Sequence, residues 1–367
     1  MDLQARTWAE IDLNSLADNF RAIRAHTGRA DLMAVVKADA YGHGAVRAAL
    51  KLESTGCRWF ATATADEAEE LRRAGIQGSI LVLGRTQPEY TGELLTYGLA
   101  QSVSTLEDAE AYSRYAAAQG RRLRVHIKLD TGMGRLGFSA DDVEKAAQAA
   151  LLPGLAAEGI FSHLAAADAA DSRYTEEQLA RFRAGCAEIE GRSGVRFGFL
   201  HCAASAGILH YPHSHFDLVR PGIALYGIRP DGGAPDWGLR PVMSLKTRVV
   251  LLRRLKKGES VSYGRTYTAE SDRLIAVLPI GYADGLHRTL SNKASFSVRG
   301  ALVRQVGNIC MDMCMADVTD VPDVCVGDTV TIFGREPEVT ELAGLAGTIP
   351  YELMCAVSQR VPRVYIE

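Results

Sequence analysis

No stretch of this 367-residue chain approaches the ~20 apolar residues that a membrane-spanning helix requires. The opening run MDLQARTWAEIDLNSL carries early acids and lacks the apolar segment of a secretion signal. Net charge is equally sparse. The chain has 41 Lys and Arg against 44 Asp and Glu, a balance of −3, without the basic excess that a polyanion-binding protein needs. The seven cysteines, at 57, 186, 202, 310, 314, 325 and 355, form no C-x-x-C pair and are odd in number. That argues against a disulfide framework or zinc knuckle and for a reduced compartment. Short-period repeats and low-complexity tracts are also missing. The expectation is a soluble, cytoplasmic protein that binds neither membrane nor nucleic acid. Its 47% of hydrophobic residues can fill a sizeable interior, and its length suits one large domain plus a smaller one.

Between about residues 10 and 230, short apolar runs alternate with alanine-rich helical patterns. The predicted strands are Leu32–Lys37, Trp59–Thr62, Ile80–Gly84, Ala100–Ser104, Arg124–Leu129, Gly159–His163, Gly198–Cys202 and Phe216–Arg220. Helical character falls on Ala65–Ala74, Leu106–Gln119, Asp141–Ala150 and Glu176–Glu190, the first with acids in its opening turns. Repeated βα units with nearly continuous apolar strands imply parallel strands covered by helices. Eight of them suggest an α/β fold closed as a (β/α)8 TIM-like barrel, whose chemistry gathers at the C-terminal strand ends. The pattern changes near Gly232–Pro235. Val242–Leu255, Arg273–Leu278, Ala294–Val298, Ala301–Val306 and Asp328–Phe333 are β-rich, separated by turns such as KKGE. The expected division is a barrel over 1–235 and a mainly-β C-terminal domain over 236–367, with the first ~10 residues free to pack on the second.

At the strand ends of such a barrel stand Lys37 and Tyr41, Lys128 and Asp130, His163, His201 and Ser205, and Arg220. Two lysines, an arginine and two histidines on one face repel one another unless an anion sits among them. Clustered cations and desolvation also lower a lysine pKa and make the amine nucleophilic toward a carbonyl. A phosphate-bearing aldehyde that condenses with lysine meets both conditions, and pyridoxal 5'-phosphate is such a molecule. The plainer alternative is that Lys37 caps a strand and extends its ammonium to solvent.

VVKADAYGHG, HIKLDTGMGRLGF, FSHLAAAD, RPGIALYG, VSYGRTY, IGYADG, NICMDM and IPYELMCAVSQRVPRVY together resemble the bacterial alanine racemases, in that family's order over almost the whole chain. The resemblance implies an isomerase that interconverts L- and D-alanine and supplies D-alanine for peptidoglycan. It implies a homodimer in which each β domain completes the partner's barrel site. By match, Lys37 anchors the cofactor and acts as base on one face of the substrate Cα, and Tyr263 of the partner acts on the other. His163 and Arg220 lie behind the tyrosine, with His201 behind the arginine and Arg220 at the pyridine nitrogen. Tyr41, Ser205, Gly222, Ile223 and Tyr351 match the phosphate contacts. Arg135 and Met311 match the substrate contacts, with Asp312 beside Met311. Lys128 matches a lysine that some relatives carbamylate, an ordinary ion pair to an acid being the alternative. Asp168, Tyr282, Arg288 and Ile349 match the substrate access path.

Two positions depart from the family pattern. Ala204 replaces a usual Asn before Ser205, and Asn308 replaces a commonly basic residue. Both leave room for a broader-specificity or serine racemase, although Tyr351 is retained and favours alanine. The other readings are a barrel-type decarboxylase using the same cofactor, a non-catalytic cofactor-binding barrel, and a nucleotide-dependent dehydrogenase. The last rests on Gly132–Gly137, which fits G-x-G-x-x-G, with Glu158 at a suitable distance. Its mid-chain position makes it better read as a turn that positions Arg135. His210, His213 and His215 fit no common metal spacing and read as a polar loop. Cys310 and Cys314 read as packed thiols in a strand, and Met311, Met313 and Met315 alternate as strand residues do, some of them core.

Overall fold

Apolar runs of two to seven residues, too short for helices, build the first half of the molecule. The computed structural model describes residues 6–231 and 233–367. Strand β1 (Thr7–Asp12) leads into the helix Leu13–His26, started by the Asp12 carboxylate accepting from the Ser15 N–H at 2.9 Å. Eight parallel strands follow: β2 (Asp31–Val35), β3 (Trp59–Thr62), β4 (Ser79–Val82), β5 (Ala100–Val103), β6 (Leu123–Lys128), β7 (Leu155–Phe161), β8 (Phe199–His201) and β9 (Leu218–Val219). Each pairs with the next through β8, and β2 also pairs with β9. A bridge between Ala204 and Arg220, just past β8 and β9, closes the ring, with the Arg220 N–H donating to Ala203 O at 2.9 Å. The result is a TIM-like barrel. Covering helices start where threonines cap them: Thr64 before Ala65–Arg73 and Thr105 before Leu106–Ala118.

The rest of the chain is mainly β. It comprises β10 (Met243–Arg248), β11 (Leu251–Leu255), β12 (Ser260–Val261), β13 (Tyr267–Thr268), β14 (Arg273–Leu278), β15 (Ser295–Val298), β16 (Ala301–Arg304), β17 (Cys314–Asp317), β18 (Thr329–Phe333) and β19 (Arg363–Ile366). One sheet runs β16-β15-β18-β10-β1-β19, so β1 lies between β10 and β19. A three-stranded sheet runs β11-β14-β17, and β12 pairs with β13. One apolar core extends from the barrel interior into the six-stranded sheet.

Three details differ from the sequence reading. The run Val242–Leu255 is two strands on two sheets, because the backbone changes partner at its middle: Val249 N–H donates to Asp328 O and Val250 N–H to Val277 O. Strand β2 stops at Val35, so Lys37 begins a helical turn rather than ending a strand. Only Met315 of the three alternating methionines is core. Cys310, Met311 and Met313 precede β17, with Met311 and Met313 exposed.

Candidate active site

Lys37 opens a turn of unusual hand. Ala38, Asp39, Ala40 and Tyr41 have φ between 52° and 55° and ψ between 38° and 52°, a left-handed helical turn without glycine. Each such residue costs about 1–2 kcal/mol, so surrounding contacts must hold the run. Ala38 N–H donates to Glu67 Oε1 at 2.7 Å, and Ala45 N–H to Asp39 Oδ1 at 2.7 Å. His43 Nδ1 donates to Ala40 O at 2.8 Å and Tyr41 O at 3.0 Å, and Arg363 Nε donates to Gly42 O at 3.0 Å. Gly42 itself has φ 82° and lies against Met354 O, where a side chain would collide.

The turn borders a cavity of about 330 Å³ at the C-terminal ends of the barrel strands. Lys37, Lys128, Arg135 and Arg220 line it, and no carboxylate does. The Lys37, Lys128 and Arg135 side chains make no ion pair among the described residues, so the ordinary ion pair considered for Lys128 is not formed. Lys128 instead lies 5.4 Å from the Phe161 ring centroid. Burial first, then the Arg135 guanidinium, lowers Lys37 below the usual lysine range, while Glu67 acts in the opposite sense. The same two causes bring Lys128 down to about 8.

Behind the cavity, buried Arg220 donates from Nη1 to His201 Nδ1 at 2.8 Å. Its Nη2 donates to Ser162 O at 2.7 Å, Cys202 O at 3.1 Å and His163 Nδ1 at 3.2 Å. Because guanidinium only donates, both histidines accept at Nδ1 and carry their proton on Nε2. His201 passes that proton toward His126 Nδ1 at 2.8 Å. Burial followed by Arg220 holds His163 near 3 and His201 far below its usual value, so both are neutral. Burial lowers Arg220 only to about 10, and it remains a cation at neutral pH. Phe161 lies under the group, stacked on His201 at 4.8 Å and 5.3 Å from the Arg220 guanidinium carbon.

The donor set fits a phosphorylated aldehyde. Ser205 Oγ accepts from Gly222 N at 3.0 Å and Ala224 N at 3.2 Å, leaving its own proton to donate. A Cβ at Gly222 would collide with the Tyr41 hydroxyl, so glycine is what lets that hydroxyl reach the backbone here. Tyr351 completes the wall, its ring 5.9 Å from that of Tyr41. Burial and then Asp168 raise Tyr351 to about 12, so its phenol stays a donor.

Of the predicted site residues, Lys37, Tyr41, Lys128, Arg135, His163, Ser205, Arg220, Gly222, Ile223 and Tyr351 therefore share one cavity. Tyr263, Met311 and Asp312 do not. They border a separate concavity of about 550 Å³ on the β domain, with Tyr263 74% exposed. Three loops are hydrogen-bonded into a plate there. Ser262 Oγ donates to Asn308 O at 2.6 Å, and Asn308 Nδ2 to Tyr263 O at 2.7 Å. Tyr282 N–H and Ala283 N–H donate to Cys310 O and Met311 O, both at 3.0 Å. Buried Asp284 accepts from Arg6 at 2.9 Å and Arg360 at 2.7 Å, and Arg360 also reaches Asp312 at 2.8 Å. Asp168, Tyr282, Arg288 and Ile349 are exposed.

The glycine-rich segment is a nest filled by its own acid. Asp130 Oδ1 accepts from the N–H groups of Gly132, Met133 and Gly134, and Oδ2 from that of Arg135. His210 pairs with Asp231 and His213 with Glu176, while His215 bonds Ile208 O. No metal-binding cluster is present among the described residues. Sequence reasoning missed Glu67, Asp39, His43, His126 and Phe161. Their signal is spatial, apart from the T-x-x-E capping box that marks Glu67 as a helix-start residue.

A family model described as alanine racemase, N-terminal domain, matches residues 11–230, and one described as alanine racemase, C-terminal domain, matches 242–365. The chain is 44% identical over 366 residues to the alanine racemase of Desulforamulus reducens, covering 98% of each chain. Among solved structures it resembles alanine racemase from the D-cycloserine producer Streptomyces lavendulae, with TM-score 0.95 and 39% identity over 99% of this chain and 97% of that one. It also resembles the Bacillus anthracis alanine racemase with bound L-Ala-P, with TM-score 0.91 and 34% identity over 99% and 95% of the two chains.

Proposed function

The chain belongs to the alanine racemase family, and from this premise we propose that it interconverts L- and D-alanine using pyridoxal 5'-phosphate. The observation that carries the reading is the acid-free cluster of Lys37, Lys128, Arg135 and Arg220 around one cavity. Lys37 would hold the cofactor covalently, with the hydroxyls of Tyr41, Ser205 and Tyr351 and the backbone at Gly222 and Ile223 on its phosphate. When bound, that cofactor withdraws electron density from the substrate Cα and so acidifies its proton.

Lys37, half-buried and shifted down by burial and Arg135, is suited to take and return a proton on one face of Cα. Tyr263 serves the other face from the partner subunit of a homodimer; its exposure on the β-domain plate supports that reading. A phenol is a weak base at its usual value of ~10, so it needs a donor for its oxygen. His163 Nε2–H supplies one, because Arg220 occupies Nδ1. Arg135 and the partner's Met311 orient the substrate carboxylate. Lys128, at about 8, is a fair candidate for carbamylation because a larger share of its amine is neutral. The product would serve peptidoglycan synthesis in the cytoplasm.

The test is a substrate panel. L-alanine, L-serine and L-lysine are incubated separately in deuterated water with cofactor-loaded enzyme, and optical rotation and α-deuteration are followed. D-alanine with α-deuterium is expected; carbon dioxide release without D-isomer would sink the racemase reading. Borohydride should fix the cofactor on Lys37, which a nucleotide-dependent enzyme would not show.

A further inference from the structure

We propose that Glu67 is the positioning residue of Lys37, its carboxylate pinning the first residue of the left-handed turn to the neighbouring barrel loop. This rests on the reading of Lys37 and Tyr263 as opposed bases.

Glu67 stands in the first turn of the helix Ala65–Arg73, where a capping-box glutamate has one duty: to reach back to its own N-cap. That contact is the longest it makes. Oε2 accepts from Thr64 N–H at 3.4 Å, but from Ala63 N–H at 2.7 Å, and Oε1 accepts from Ala38 N–H at 2.7 Å. The two short bonds tie the loop after β2 to the loop after β3. Ala38 follows Lys37 directly and is the first left-handed residue of the turn. The other side-chain braces, from Asp39, His43 and Arg363, act on backbone at Ala40 and beyond. On the lysine side, Tyr226 Oη donates to Val35 O at 2.9 Å at the end of β2, and Glu67 is the side chain bonded to the first residue of the turn itself. It also faces the ammonium as an anion. The other charged or titratable groups around Lys37 are Arg135, Arg220, Lys128, His163 and Cys355, with the phenols of Tyr41 and Tyr351 in the same cavity, and none of these is a carboxylate.

Glutamine cannot replace it. An amide has one acceptor oxygen, so its NH₂ would confront either the Ala38 or the Ala63 N–H. The helix cap survives the change, since Thr64 Oγ accepts from the backbone N–H of residue 67. The experiment compares Glu67→Gln, Tyr263→Phe and Thr64→Ala in the full-length, cofactor-loaded enzyme. Initial α-proton exchange is measured from L-alanine and D-alanine separately, alongside amide hydrogen exchange of the segment 37–44. Glu67→Gln is expected to slow exchange from one enantiomer on the order of tenfold, within the ~10²-fold that a 1 Å misplacement can cost. The affected enantiomer should be the opposite of the one affected by Tyr263→Phe, and amides 37–44 should exchange faster. Thr64→Ala, which weakens the helix start but keeps the carboxylate, should leave the ratio of the two rates unchanged.

Equal losses from both enantiomers in Glu67→Gln, with Tyr263→Phe still one-sided, would overturn the role given to Glu67. Equal losses in Tyr263→Phe would overturn the opposed-base reading instead. Amide exchange then decides for Glu67 on its own: faster exchange at 37–44 supports the pin, and unchanged protection overturns it.

Discussion

The barrel mouth and the β-domain plate handle their reactive groups in opposite ways. Lys37 sits half-buried in a turn held by Glu67, Asp39, His43 and Arg363, among cations that alter its basicity. Tyr263 projects from the surface, 74% exposed, on loops joined by the Ser262 and Asn308 side chains and by backbone bonds. The barrel cavity is lined entirely by residues of one chain. On the plate, the Tyr263 phenol oxygen has no hydrogen-bond partner among the described residues. On the proposed reading, one base deep and the other on a surface would make activity depend on association, while cofactor capture would depend on the barrel alone.

Removing either base gives the largest effects. Lys37→Ala should lower racemisation by ~10³-fold or more and abolish borohydride-stable cofactor attachment. Tyr263→Phe should cost ~10²-fold and leave attachment intact. Heterodimers of these two variants, purified through different affinity tags, would then contain one site with both bases and one with neither. Roughly half the wild-type rate should return. No recovery would end the idea that the two regions meet across a subunit boundary.

Next in size is the ion cluster behind the plate. Asp284 is buried, whereas Arg6 and Arg360 are partly exposed and can turn to solvent. Asp284→Asn should therefore destabilise by only about 1–3 kcal/mol, read from urea unfolding. It should lower activity without changing cofactor attachment. A loss of attachment would show that the two regions are less separate than their contacts indicate.

The smallest effect falls on the barrel side. Lys128 releases its proton near 8 in the folded chain and near the ordinary 10.5 when unfolded. Between those values the unfolded chain holds more protons, so stability rises with pH; below them the full cost of the buried cation is present. Lys128→Met should raise the unfolding temperature of the cofactor-free protein most at pH 7, with the gain fading toward pH 10.5. A gain independent of pH would mean that packing, not charge, is responsible.

The barrel is legible because its strands are short, rich in apolar residues and buried on both faces. The sequence places Trp59–Thr62 at its observed bounds and the other strands within a few residues of theirs. Polar groups at strand ends then identified most of the cavity. The turn at Lys37 was not legible. Ala-Asp-Ala-Tyr carries no glycine, and its hand is imposed by partners as distant in sequence as Arg363. Strands β1 and β19 are not read from the sequence for a related reason, since each is ordered by partners far along the chain. Family resemblance, not residue chemistry, marks Tyr263, which in this chain is an exposed tyrosine like any other.

Strand β1 has a consequence for how the molecule is made. Its Thr7 hydroxyl lies 3.0 Å from that of Thr247, across 240 residues, and its other neighbour is β19. On the ribosome this strand emerges first among those described, and the whole barrel is synthesised before either partner appears. Until then it is an unpaired hydrogen-bonding edge, and Trp8 lacks the Arg248 guanidinium that lies 5.0 Å over its ring in the folded chain. The six-stranded sheet, and the plate that leans on it through Arg6, are accordingly the last parts to be completed.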